Sequence, residues 1–169
     1  MLKADDLVGV SFWIISVAMV ASTAFFFLEG NSVAKHWQTS VRVAGLVTLI
    51  AAVHYYYMRA VWIQTGENPN VYRYIDWLIT VPLQIVEFYL ILAAVTNVSS
   101  SLFWKLLVAS LVMLIGGYMG EAGYMAMMPA FIIGMVGWAV IIYLIFFGEA
   151  AQVNAASGNA AGQLSLIHI

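Results

Sequence analysis

Cysteine is missing from this chain, and charged residues and prolines are scarce. None of the 169 residues is cysteine, 8% are charged and three are proline. The lack of cysteine excludes disulfides, thiolate metal ligands and cysteine nucleophiles. A soluble domain usually carries about 25% charged residues, so this chain lacks an ordinary water-facing surface. The net charge of −2 also gives no basis for binding nucleic acid.

What is abundant is apolar and aromatic sequence. Hydrophobic residues make up 64% of the chain, including nine Phe, nine Tyr and six Trp. A soluble core of this size cannot bury so much apolar sequence. We therefore predict an all-α membrane protein whose main solvent is the lipid bilayer.

Apolar stretches of about 20 residues, the length a helix needs to cross a bilayer, occur five times. Short polar links separate them, so successive helices should be antiparallel neighbours. The region 148–169 is rich in Ala, Asn, Ser and Gly at first and is predicted to be a flexible loop followed by a non-native tail. The predicted spans are 8–28, 41–62, 71–95, 102–119 and 129–147.

The few basic residues indicate an orientation. With the N-terminus outside, Lys35, Arg42 and Lys105 face the cytoplasm, while Lys3 and Arg59 lie outside. This three-to-two excess agrees with the positive-inside rule. We expect a multi-pass membrane protein with its N-terminus outside.

The third span contains ionisable residues at membrane depth. Such residues are energetically unfavourable in lipid and mark functional sites by default. Asp76 and Glu87 are eleven residues apart, which is about 16 Å along a helix and nearly a return to the same face. They form a spaced pair of proton-binding groups, with Arg73 one turn before Asp76.

Each of these charges also has a structural interpretation. Asp76 could form an ion pair with Arg73 on the same helix. Arg73 could instead extend to the membrane interface, and Glu87 could do the same from the other half of the span. We favour function for all three, since a buried ion pair stabilises a helix poorly. Glu87 has no basic residue within two turns and should keep its proton, as a proton donor must.

Other polar residues in the spans have weaker signals. His54 lies midway along the second span and could pair with a carboxylate on the next helix, although a lone histidine is often a packing residue. Thr80 could simply bond its own helix backbone. Gln84 needs a polar partner or water. Pro82 should kink the third helix. One interior histidine without cysteine provides too few ligands for a metal site.

Aromatic and small residues could shape a pocket. Trp77, Met113 and Trp138 could wall a flat apolar cofactor, but plain packing is the commoner role of such residues in a bundle. Glu121 follows several glycines in the link after the fourth span and reads as a solvated loop charge. Those glycines favour close helix approach, or room for a ligand, over catalysis.

The third span resembles the third helix of proteorhodopsins, the retinal-binding proton pumps within the microbial rhodopsin family. The similarity covers about residues 8–160 and extends to shorter motifs in every span. The matching stretches are GVSFW (9–13), FFFLE (25–29), HYYYMR (54–59), RYIDWLITVPLQIVEFYLILAA (73–94), SLVML (110–114), GYMGEAG (117–123) and PAFIIG (129–134).

The resemblance implies a seven-helix bundle that binds retinal as a Schiff base and pumps protons outward in light, rather than an enzyme. It assigns Asp76 as counterion and primary proton acceptor and Glu87 as cytoplasmic donor, in the pattern of proton pumps. His54 would be the hydrogen-bonded partner of Asp76, and Arg73 would complete the counterion complex. Thr80 belongs, with Asp76 and Glu87, to the residue pattern of proton pumps.

The same resemblance assigns a retinal pocket. Trp77 and Trp138 would sandwich the retinal, with Met113 near its ring. Gln84 falls where the family tunes colour, and glutamine is the blue-absorbing version. Many members form homo-oligomers, and we expect the same of the complete protein.

The chain departs from the family in one respect. The family's Schiff-base lysine lies in a seventh helix, whereas the lysines here are Lys3, Lys35 and Lys105, at or near span ends. We therefore expect five helices of the bundle, without the sixth and seventh. Two alternatives stay open: a photosensory rhodopsin, which would have little need of Glu87 as a fast donor, and a non-pigmented five-helix fragment without transport activity.

Overall fold

The structure, a computed structural model, describes residues 5–157, and this part of the chain is helical without strands. Five long helices are followed by one short helix. Their bounds are α1 Leu7–Glu29, α2 Lys35–Thr65, α3 Asn70–Val95, α4 Ser100–Glu121, α5 Met127–Phe146 and α6 Glu149–Ser157. The predicted all-α fold is confirmed.

Five helices are long and apolar enough to cross a membrane. Large apolar side chains cover the outside of the bundle, an arrangement that suits lipid and that soluble monomers avoid. Examples of such exposed side chains are Ile14, Phe25, Trp104, Phe131 and Tyr143. Each predicted span overlaps one of the long helices, and the main difference is that α2 begins at Lys35 rather than at 41.

Successive helices pack side by side, α1 on α2, α2 on α3, α3 on α4 and α4 on α5. Because the links are short, neighbours are antiparallel and the bundle has two ends. The Asp6 end holds the start of α1, α3 and α5. The Lys105 end holds the start of α2 and α4, together with α6.

The apolar core is formed by α3, α4, α5 and α6 toward the Lys105 end. In a bilayer, close packing and dispersion hold such a core together more than release of water does. Its buried members are Ile85, Phe88, Leu92, Leu102, Leu106, Ile145 and Ala150.

Glycines bring α4 and α5 close together, as expected for the span-four glycines. A Cβ atom on Gly116 would lie 2.9 Å from the Ile133 side chain, and one on Gly137 would lie 2.7 Å from the Met113 backbone nitrogen. No larger side chain fits there without separating the helices. This contact fixes the height of α5 relative to α4.

The region after Gly148 differs from the prediction of a loop. Residues Glu149–Ser157 form helix α6, because Glu, Ala and Gln are good helix formers. Lys105 Nζ donates to Glu149 Oε2 at 2.9 Å and joins this helix to α4. The predicted non-native tail lies outside the described residues.

Asp6 caps α1 and ties it to α2. The Gly9 backbone N–H donates to Asp6 Oδ1 at 2.9 Å, and Trp62 Nε1 donates to the same oxygen at 3.1 Å. The Gly9 hydrogen bond chiefly lowers the pKa of Asp6; partial burial opposes this, and the Trp62 hydrogen bond adds to it. The ionised carboxylate is therefore the form that the folded protein prefers.

The stabilisation from Asp6 should disappear in acid. A lowered pKa contributes stability above the unfolded value of 3.8 and loses it as the pH falls through the folded value. We expect Asp6→Ala to lower the Tm in detergent by about 2–4 °C at neutral pH. The difference from wild type should shrink below about pH 4. Asp5→Ala, on an exposed neighbour, is the control; a difference that does not shrink as the pH is lowered below 3.8 would contradict this account.

Candidate functional site

Asp76 and Thr80 are the two buried polar residues of α3. Asp76 is 3% exposed, which is rare for a carboxylate. The Thr80 hydroxyl donates to the Asp76 backbone carbonyl at 3.0 Å. Thr80 thus bonds the backbone of its own helix, which is the structural interpretation of this residue. Its side chain lies one helical turn from the Asp76 carboxylate.

His54 on α2 meets Asp76 on α3. Its Nδ1 lies 3.2 Å from Asp76 Oδ1 and 3.0 Å from the Ile50 carbonyl oxygen. A nitrogen between two acceptors must carry the hydrogen, and the ring geometry directs it to Ile50. The structure therefore forms the predicted histidine–aspartate pair, in close contact but without a directed hydrogen bond.

One carboxylate oxygen of Asp76 stays unsatisfied. Oδ1 is inaccessible to solvent and has no hydrogen-bond donor among the residues the structure describes. A buried acceptor without a donor is destabilising. Protonation of the carboxyl group would relieve this cost, since a neutral oxygen is less costly to bury than a charged one.

Arg73 makes no ion pair with Asp76 in the part of the chain that is described. It lines a cavity of about 200 Å³ between α3 and α4 at the Asp6 end. We call this the α3–α4 cavity. The structural interpretation of Asp76 as the ion-pair partner of Arg73 is not supported. The cavity is lined by Asn70, Arg73, Tyr74, Trp77 and Glu121.

Glu121 is not the solvated loop charge that the sequence indicated. It is the last residue of α4 and is half-buried, and Asn70 Nδ2 donates to its Oε1 at 2.8 Å. Sequence reasoning missed this contact. The signal was available in the topology, because the start of α3 and the end of α4 must meet at the same end of an antiparallel pair.

Glu87 lies eleven residues beyond Asp76 in α3, toward the Lys105 end. It is half-buried, next to the fully buried Phe88, and forms no ion pair within residues 5–157. The structure places Glu87 apart from the histidine–aspartate pair, separated by about 16 Å of helix. This is the predicted spacing of the two carboxyl groups.

The four residues assigned to a cofactor lie on three helices. Trp77 is 39% exposed and Trp138 is 48% exposed, and Gln84 is also exposed. Met113 is half-buried, and its backbone packs on Gly137, next to Trp138. In the described part of the chain, α3 packs on α4 and α4 packs on α5.

The exposed side chains suit one kind of ligand. Large aromatic faces and an exposed amide offer a surface for an elongated apolar molecule. In the described residues no cluster of His, Asp or Glu could hold a metal ion.

The fold and the site define a helical membrane protein with a buried carboxylate–histidine pair and a second carboxyl group farther along the same helix. The chain belongs to the bacteriorhodopsin-like protein family, whose model matches residues 6–168. The resemblance to microbial rhodopsins is thereby confirmed.

Similar proteins include light-absorbing proteorhodopsins. The chain is 61% identical over 157 residues to the green-light absorbing proteorhodopsin of Gamma-proteobacterium EBAC31A08, covering 92% of this chain and 63% of the relative. It is 59% identical to the blue-light absorbing proteorhodopsin of Gamma-proteobacterium Hot 75m4, covering 92% and 62%. The chain thus spans less than two thirds of the length of these relatives.

A solved structure gives the same result. The blue light-absorbing proteorhodopsin from Med12 superimposes with a TM-score of 0.77 at 57% sequence identity, over 90% of this chain and 73% of that chain. The five long helices therefore have the arrangement of a microbial rhodopsin.

Proposed function

We propose that this chain is part of a light-driven outward proton pump that binds retinal. The observation that carries the proposal is the buried Asp76 carboxylate, which contacts His54 and keeps one oxygen without a donor. Glu87 on the same helix provides a second proton-binding group toward the Lys105 end. Two such groups on either side of a chromophore are what vectorial proton transfer needs.

Retinal would be held by Trp77, Gln84, Met113 and Trp138. When bound as a protonated Schiff base, it supplies visible absorption and a proton whose acidity changes with light. The apolar faces of the two tryptophans suit a polyene, and Gln84 favours the blue-absorbing type.

Asp76 would act as counterion and proton acceptor. Burial strengthens the attraction between its carboxylate and a nearby cation. His54 on α2 contacts the Asp76 carboxylate on α3 and provides a second group that can share the proton. Once protonated, the unsatisfied oxygen of Asp76 has an O–H group in place of a bare lone pair.

Orientation and setting follow from the charges and helix ends. Lys35, Arg42 and Lys105 lie toward the Lys105 end, which we assign to the cytoplasm. The N-terminus and the α3–α4 cavity then face outward. By resemblance to the family, the complete protein would reside in a bacterial inner membrane as a homo-oligomer.

The proposal can be tested with a completed chain. We define this as residues 1–157 joined to the remaining C-terminal segment of the green-light absorbing relative, which the chain covers to 63%. In cells supplied with all-trans retinal, illumination should acidify the medium, and a protonophore should abolish the effect. Illumination without acidification would contradict a pump, and a photocycle of seconds would then favour a photosensor.

Replacement of Glu87 by glutamine should slow only the return of the proton from the cytoplasmic side. A missing general acid typically slows a transfer by about 10²-fold or more. Flash photolysis of the completed chain should show normal proton arrival at Asp76 and a late phase slowed to that extent. Glu29→Gln, an exposed carboxyl at the same end of the bundle, is the matched control. An unchanged late phase in Glu87→Gln would rule out the donor role.

A further inference from the structure

An apolar groove runs along the outside of the bundle between α4 and α5. Its volume of about 630 Å³ lies within the range of about 300–1,000 Å³ that is typical of ligand pockets. Valines form its walls, and two small residues form its floor where the helices touch. We call it the α4–α5 groove, with walls of Val108, Val112, Val136 and Val140 and a floor of Ala109 and Gly137.

The α4–α5 groove faces away from the inside of the bundle. Gly117 lies nine residues beyond Val108, which places the two about half a turn apart around α4, and Tyr74 of α3 packs against Gly117. Met113 and Trp138, which we propose to hold retinal, are absent from the groove lining. Val108 is 55% exposed. In a membrane, the groove is therefore open to lipid.

The length of the groove matches a lipid chain in one leaflet. Its α4 side extends from Trp104 to Val112 and its α5 side from Leu144 to Val136, which is about 12 Å along each helix. One leaflet contributes about 15 Å of hydrocarbon. Because β-branched side chains have few rotamers, the valine walls shape the groove before a ligand binds. The exposed Trp104 lies at the Lys105 end, where a tryptophan suits the membrane interface.

A charged pair lies at the Lys105 end of the groove. Lys105 lines the groove, and its Nζ donates to Glu149 Oε2 at 2.9 Å. An ammonium group has three donors and the Lys105 side chain is exposed, so it can also donate to a phosphate. Glu149 has a second carboxylate oxygen that can accept from an amine. The pair offers one charge of each sign and therefore complements a headgroup that carries both a phosphate and an amine.

We propose that the α4–α5 groove binds one phospholipid with a primary-amine headgroup, phosphatidylethanolamine, from the leaflet at the Lys105 end. One acyl chain lies against the valines, the phosphate accepts from Lys105, and the ammonium group of the lipid donates to Glu149. The lipid thereby bridges α4 and α6, which the Lys105–Glu149 contact joins. The site is separate from Asp76 and does not depend on proton transport.

Native mass spectrometry of the completed chain, without retinal or light, tests the lipid selectivity. The protein in detergent is mixed with equal amounts of palmitoyl-oleoyl phosphatidylethanolamine, phosphatidylcholine and phosphatidylglycerol. Phosphatidylcholine keeps the phosphate but lacks amine hydrogens, and phosphatidylglycerol lacks the amine. We expect one phosphatidylethanolamine per chain, retained at least about threefold more often than either competitor. Equal retention of the three lipids, or a preference for one of the others, would overturn the proposal.

Two pairs of variants locate the bound lipid. Val108→Trp fills the groove and should abolish the preference, whereas Ile115→Trp, similarly exposed on α4 but outside the lining, should keep it. Glu149→Gln leaves Lys105 without its anionic partner and should shift the preference toward phosphatidylglycerol. Glu29→Gln, an exposed carboxyl group at the same end, should not. An unchanged preference in Val108→Trp or in Glu149→Gln would show that the lipid binds elsewhere.

The same spectra distinguish a lipid from a second copy of the chain. Wild type and Val108→Trp should have the same oligomeric state, because the groove holds lipid rather than protein. If wild type retains no lipid and Val108→Trp dissociates an oligomer, this face packs against a second copy and the lipid proposal is wrong. Light-driven acidification is measured separately, so failure of the lipid site leaves the proposed pump untouched.

Discussion

Asp76→Asn should abolish light-driven acidification by the completed chain. Asparagine has nearly the same shape and can stay beside His54, which contacts Asp76 at 3.2 Å. It cannot take up a proton at the position of the unsatisfied oxygen. Loss of a positioned proton acceptor should lower the rate of early proton transfer by at least about 10²-fold. Flash photolysis and external pH, measured on the same preparation, check this result.

Two further variants separate the acceptor role from a structural one. Asp76→Glu keeps the carboxyl group and should retain transfer at an altered rate. Asp5→Asn changes an exposed carboxyl group near the start of α1 and should leave pumping unchanged. Normal early kinetics in Asp76→Asn would show that another group accepts the proton and that the site is wrongly assigned.

The 169-residue chain by itself should form no stable visible pigment with all-trans retinal. Of its lysines, Lys35 begins α2, and Lys105 lies near the start of α4, paired with Glu149. Both are at the Lys105 end. Counting along α4 and α3 from the Asn70–Glu121 contact, Lys105 lies about 15 Å from the level of Asp76. Neither of these lysines can present an amine beside Asp76, and Lys3 lies outside the described residues.

The measurement is an absorption spectrum before and after hydroxylamine in the dark. Co-expression with the remaining C-terminal segment of the green-light absorbing relative is the positive control, and it should restore a band that survives the reagent. A persistent band from the 169-residue chain without that segment would mean that one of its own lysines holds retinal. The assignment of Asp76 as the counterion would then fail with it.

Most of the fold could be predicted from hydrophobicity and length. Five apolar stretches near bilayer length produced five helices, because lipid leaves the backbone no alternative to internal hydrogen bonds. The start of α2 was missed since Lys35 and His36 are polar, and helix formation at a membrane surface does not require apolar residues. Helix α6 was missed because Ala and Asn were read as loop composition, whereas the Lys105–Glu149 contact and burial of Ala150 favour a helix.

The positions of site residues could be predicted from the sequence when the residues lie on one helix or on adjacent helices. The spacing of Asp76 and Glu87 depends on α3 alone, and His54 needed one further step, that α2 and α3 are neighbours. Glu121 needed the pairing of two helix ends 51 residues apart, which spacing within a span cannot reveal. The partnership of Trp77 with Trp138 stays a prediction, because α3 and α5 lie on either side of α4.

Infrared difference spectroscopy of the completed chain, light minus dark, tests most directly whether Asp76 takes up a proton in light. Aspartate labelled with ¹³C at the carboxyl group identifies the band. We predict a new carboxylic-acid C=O stretching band that shifts with the label, disappears in Asp76→Asn and persists in Asp5→Asn. A light-induced spectrum in which no aspartate band appears, or in which the band persists in Asp76→Asn, would contradict the account.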